Sequence, residues 1–209
     1  YTIYFVLMCE GLKTATPVSA AAVFTLMPLM SAGFGFLMLR QITTLRMALA
    51  LGIAAAGALW VIFRGDLTAL AAFDIGRGEV IYFIGCIAHA LYTPMVRRLS
   101  RGEGAAVFTF GMLIAGSILL GVVSWQKIIA TDWSALAPVI WITIGYLTLF
   151  STAASFFMLQ YATLRLPSAK VMAYSYLTPA WVILWEIGLG SLLPAAHVLL
   201  GIGATIIAL

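Results

Sequence analysis

The sequence predicts an all-α fold, a polytopic helix bundle whose solvent is lipid. Two observations carry the prediction: 64% of the 209 residues are hydrophobic and only 9% are charged, and the apolar residues recur in bilayer-length runs separated by short connections. Eleven basic and seven acidic side chains cannot cover a water-soluble domain of this length. An ordinary soluble enzyme is therefore excluded.

A helix needs roughly twenty residues to cross a hydrocarbon core about 30 Å thick. The opening run, 1–11, supplies about half of that. Six complete spans follow, at 18–39, 45–63, 80–96, 105–124, 137–161 and 172–193, and the run at 198–209 is again short. That makes eight helical segments, six of them complete, and both chain ends read as cut. Each break carries charge or turn chemistry: Lys13 to Pro17, Arg40 to Thr44, Arg97 to Gly104, Gln126 to Asp132, Arg165 to Ser168, and the Leu193–Pro194 turn. The longer connection from Arg64 to Glu79 holds Asp66, Asp74, Arg77 and glycines, and reads as an interfacial joint. The expected organisation is a first unit over 1–65, a connection over 66–78, and a second unit over 79–209.

Alternate connections differ in charge. One set carries Arg40, Arg46, Arg97, Arg98, Arg101, Arg165 and Lys170, the other Lys13, Arg64, Arg77 and Lys127. The positive-inside rule places the first set in the cytoplasm. The scattered cations form no stripe that would track phosphates, which argues against nucleic acid. Cys9 and Cys86 are far apart in apolar runs and read as small buried hydrophobes.

Placing Pro28 on Pro179, an offset of 151, also brings Phe5 onto Phe156, Ala22 onto Ala173 and Leu26 onto Leu177; a two-residue gap then brings Gly52 onto Gly201. The two prolines lie five segments apart, so the second copy would be inverted relative to the first. Inverted repeats with substrate near the midplane are a recurring transporter architecture.

Thr16-Pro17 through Met27-Pro28-Leu29, the turn from Arg40 to Arg46, and Gly52 through Gly57 together resemble the last helices of an EamA domain of the drug/metabolite transporter superfamily. A second such domain is similar from Gly78-Glu79 through Ala90-Leu91-Tyr92, Arg97-Arg98, Ala162 to Pro167, Leu177-Thr178-Pro179 and Gly201. The resemblance implies ten helices in two inverted five-helix EamA repeats, so that this chain lacks two helices, part of a third, and the end of the last. Many members carry a Glu near the cytoplasmic end of the fourth helix, where this chain has Arg40. No role is carried over to that position.

Within the spans, Glu186 is the sharpest functional candidate, because a carboxylate there needs a cavity or a partner. Ser175, Thr178, Pro179 and Val182 share its helical face, and Trp185 precedes it. It would pair with a cationic substrate group or titrate in proton coupling; the alternative is a structural carboxylate. His89 lies mid-span with Tyr92 one turn on, suited either to substrate or proton contact or to an interhelical bond. Thr148, Ser151, Thr152 and Ser155 form a hydroxyl stripe followed by Gln160, readable as cavity lining or as helix packing. Tyr174, Tyr176, Trp181 and Trp185 would stack on an organic substrate or anchor at the interface. Pro28 and Pro179 are hinge candidates. Ala48, Gly52 and Ala56 permit close helix approach, within the chain or in an oligomer.

The expected function is secondary transport, an exporter of small organic metabolites, amino-acid-like or drug-like compounds, working by alternating access in a bacterial-type inner membrane. Its partners would be the lipid bilayer, a small-molecule substrate and, if a gradient supplies the energy, protons as coupling ion; the alternative is facilitated diffusion. Neither a cofactor nor a metal is expected: His197 stands apart from His89, and no Gly-Lys-Ser/Thr phosphate loop occurs. The alternatives are a membrane-embedded enzyme or a non-transporting subunit.

Overall fold

The computed structural model describes residues 2–73, 75–190 and 196–208 and, within them, every side chain except those of Pro17, Glu186 and His197. All regular elements among the described residues are helical. In chain order they are α1 (Thr2–Gly11), α2 (Pro17–Phe24), α3 (Met27–Leu39), α4 (Leu45–Ile62), α5 (Leu67–Ala71), α6 (Arg77–Leu99), α7 (Ala105–Ala130), α8 (Pro138–Tyr146), α9 (Ser155–Thr163), α10 (Ser168–Ala173), α11 (Thr178–Gly188) and α12 (Ala196–Ala208). A π-helical segment, Leu147–Ala154, joins α8 to α9, and 3-10 turns lie at Trp133–Ala135, between α7 and α8, and at Tyr174–Leu177, between α10 and α11.

Five helical segments are long and apolar enough to cross a membrane: Val18–Leu39, Leu45–Ile62, Arg77–Leu99, Ala105–Ala130 and Pro138–Thr163. The chain is an integral, multi-pass membrane protein. Two expectations need correction, and the connection after α4 gains a short element. The span expected at 172–193 is instead α10, a 3-10 turn and α11, because Pro179 has no N–H and the helix tightens just before it; its last residues, with the Leu193–Pro194 turn, lie outside the described part. The joint expected at 66–78 contains α5 and is followed by α6 from Arg77. Asp66 makes α5 possible by accepting the N–H groups of Thr68 and Ala69; Asp74 is outside the described residues. Cys86 is buried as expected, whereas Cys9 is exposed on α1, since its side of that helix faces away from the packing against α6.

The span 18–39 is interrupted in the same manner as the segment from Ser168 to Gly188. Two turn residues, Thr25 and Leu26, separate α2 from α3, and the Thr25 hydroxyl donates to Ala22 O. Pro28 is the second residue of α3 and Pro179 the second of α11, while α2 and α10 begin at Pro17 and Ser168. Both pairs of positions stand 151 residues apart.

Helix α6 is the hub, packing against α1, α2, α3, α9 and α10. Small residues set the closest approaches: a Cβ on Gly78 would lie 2.5 Å from Ala15 N, and one on Gly11 would lie 2.8 Å from Gly78 O. The other close pair is α4 with α12, where a Cβ on Gly57 would meet Gly201 O at 2.7 Å. The Ala48–Gly52–Ala56 row faces outward and is unused within the chain, the packed face of α4 being Leu51, Ala54, Gly57, Ala58 and Val61.

Candidate functional site

The interior of α6 carries the strongest polar and aromatic grouping. Its position follows from sequence: Tyr82, Cys86, His89, Ala90 and Thr93 recur at steps of three and four and share the buried face. The His89 ring stacks on Tyr4 of α1 at 4.5 Å between centroids and on Tyr92 at 6.0 Å. Tyr92 in turn meets Phe156 of α9 edge-on at 6.1 Å. An aromatic row thus crosses from α1 through α6 to α9.

One helical turn beyond Phe156 lies Gln160, fully buried, with neither amide atom hydrogen-bonded among the described residues. The hydroxyls of Ser31 on α3 and Thr93 on α6 pair at 2.9 Å, both fully enclosed. Three predicted residues, His89, Tyr92 and Gln160, are therefore gathered around the junction of α6 and α9. Ser175, Thr178 and Trp185 belong to a different part of the packing. Ser175 is half-buried and donates to Met172 O, Thr178 is exposed, and Trp185 is 70% exposed. Their segment rests on α4 through Tyr176, which is buried with Leu51, Ala54 and Ala58. Glu186 lies on α11, and its side chain, like that of His197, is outside the described part. Pro28 is buried and Pro179 half-buried, each just after a helix break.

The hydroxyl stripe falls in the π-helical segment and at its end. Ser155 donates back to Ser151 O, so at least this hydroxyl bonds to its own helix. An open depression of about 390 Å³ between α3 and α4, lined mainly by Leu29, Ala32, Phe36, Ile42, Ala48 and Leu51, contains none of the predicted substrate, coupling or hinge residues.

Three hydrogen bonds that sequence reading missed tie α2, α3 and the turn after them to the second half of the chain. Ser19 donates to Glu79 at one end of the bundle, Ser31 pairs with Thr93 further in, and at the opposite end Ser168 N–H donates to Gln41 Oε1 at 3.1 Å. Gly35 leaves the space through which Gln41 reaches α10, since a Cβ there would lie 3.0 Å from Gln41 Oε1. Arg97 donates to Leu166 O at 2.9 Å beside this last tie. The connections after α3, α6 and α9 therefore meet at one end, the arrangement that alternate basic connections require.

This architecture is found in known proteins. The EamA-like transporter family matches residues 76–209. The chain belongs to that family. Among curated relatives, the Uncharacterized transporter YyaM of Bacillus subtilis (strain 168) is 26% identical over 200 residues, covering 95% of this chain and 64% of that protein. The chain thus spans somewhat less than two thirds of the length of this EamA-type relative. A protein solved by crystallography shares the fold, with a TM-score of 0.75 at 18% identity, over 98% of this chain and 69% of its own. Both the matching family and the Bacillus subtilis relative carry the name of a transporter.

Proposed function

We propose that the full-length protein is a secondary transporter that exports small organic metabolites, amino-acid-like or drug-like, across a bacterial-type inner membrane by alternating access. The observation that carries this reading is the pair of interrupted helices, α2–α3 and α10–α11, each broken just before a proline and aligned at one offset of 151 residues. In an inverted repeat of 1–65 and 79–209, joined through 66–78, such breaks lie at equivalent places in the two halves. Interrupted helices at a repeat interface are where transporters hold substrate and bend. Pro28 and Pro179 are then the hinges, and the ties Ser19–Glu79 and Gln41–Ser168 close the two ends in turn.

His89, Tyr92 and Gln160 contact the substrate on this reading, while Ser175 in the 3-10 turn and Thr178 and Trp185 on α11, which stand apart from them, line a separate stretch of the pathway. A gradient drives the cycle, with protons as the coupling ion and Glu186 as the group that exchanges them. The full-length protein in lipid vesicles, given a labelled metabolite library, is expected to show saturable flux above protein-free vesicles. Flux of no compound overturns the proposal. Glu186→Gln is expected to transport without dependence on a pH gradient; retained dependence removes Glu186 from coupling.

A further inference from the structure

Gln160 is 0% exposed, and both its amide nitrogen and its amide oxygen lack a hydrogen-bond partner among the described residues. Thr163, three residues on and on the same helical face, is 1% exposed with an unpartnered hydroxyl. Thr109, whose hydroxyl is also unpartnered, is the buried residue of α7, the helix packed beside α9. Its neighbours Phe108 and Met112 pack against the cluster of Tyr92, Val96 and Phe156, which places it on the inward side of α7, the helix that meets α9. A threonine can turn its hydroxyl to its own helix's carbonyls. A glutamine amide with no partner has no such recourse, and its desolvation in an apolar interior costs about 2–7 kcal/mol. Buried polar groups are almost always satisfied, so such a group calls for a partner that the described residues do not supply.

The chemistry of these groups selects the ligand. All three are uncharged, and the nearby cations are engaged elsewhere: Arg97 on Leu166 O, and Arg165 on Tyr161 O and over the Tyr161 ring. An amide presents a donor and an acceptor side by side. A carboxylate offers it no donor and an ammonium no acceptor, so either would leave one atom unpaired. A carboxamide satisfies both at once.

We propose that Gln160, with Thr163 and Thr109, forms a subsite of the transport pathway that binds a neutral carboxamide group of the transported compound. This deepens the transport reading and rests on it for passage of the compound; binding itself is measured separately. The full-length protein in detergent is titrated with benzamide, nicotinamide and acetamide, and with benzoate, nicotinate and acetate as their charged counterparts, following thermal unfolding.

The amides are expected to raise Tm and the carboxylates not to. Gln160→Leu, which removes the unpaired amide, is expected to match or exceed the wild-type Tm without ligand and to bind amides about tenfold more weakly, the effect of losing a buried hydrogen-bonding pair. Gln160→Met, with its flexible side chain, repeats the test should leucine pack poorly. The proposal is overturned if no amide stabilises the wild type, if carboxylates stabilise it equally, if both variants bind amides as the wild type does, or if both melt well below it, the mark of a purely structural glutamine. Amide binding without flux of any compound would refute transport and leave the subsite standing; flux without amide preference would do the reverse.

Discussion

Ser31 and Thr93 exchange a hydrogen bond in a site with no access to water, so neither hydroxyl has an aqueous alternative. Interhelical pairs of this kind in membranes contribute about 0.6 kcal/mol on average and up to about 1.7 kcal/mol. A double-mutant cycle of Ser31→Ala and Thr93→Val, read by unfolding of the full-length protein, is expected to give a coupling in that range; additivity would show that the pair contributes packing alone. Asp66 behaves differently because it is exposed. Hydrogen bonds from the Thr68 hydroxyl and then from the Ala69 and Thr68 N–H groups hold its carboxyl below its ordinary value of 3.8. A depressed folded-state pKa stabilises above the unfolded value and is lost as pH falls through the folded one. The Thr68 and Ala69 amides are therefore expected to stay protected down to pH 3.8 and to open below it, followed by pH-resolved amide exchange. Protection lost already at pH 5 would contradict this.

The elements show what the sequence made legible and what it withheld. Run length located the spans, since a bilayer demands about twenty apolar residues whatever their order. The prolines marked where helices would bend. Their consequence was hidden: a break into α2 and α3, and a tightening into a 3-10 turn ahead of Pro179, depend on which carbonyls find other donors, such as the Thr25 and Ser175 hydroxyls. Facing was equally hidden, because lipid-exposed and buried positions are both apolar. The Gly52 row and Gly57 are alike in composition, yet only Gly57 meets a neighbour, with Gly201 O 2.7 Å and Thr205 Oγ1 2.6 Å from a would-be Cβ. Gly57→Leu is expected to force α4 from α12 and cost about 1–3 kcal/mol. Gly52→Ala, with nothing within 4 Å, is expected to be neutral or stabilising by up to about 1 kcal/mol. Thermal unfolding of both variants checks the pair; equal losses would place the packed face elsewhere.

At the scale of the molecule, the bundle is organised around α6, with a cross-half hydrogen bond toward each end and another between them. His89, Tyr92 and Gln160 were legible as the polar residues of otherwise apolar spans, and the fold gathers them. Ser175, Thr178 and Trp185 were chosen by the same logic, and lie apart because a helical face does not state which neighbour it meets. The ties at Glu79 and Gln41 were not legible, since both residues stand at span ends where polar side chains are ordinary. Alternating access requires the two ends to open in turn. Spin labels on the exposed positions Val18 and Val80 at one end, and on Arg40 and Lys170 at the other, report this directly in the full-length protein in lipid nanodiscs. Two distance populations are expected at each end, the long one at one end accompanying the short one at the other as conditions shift their balance. A single, unchanging distance at both ends would contradict the account.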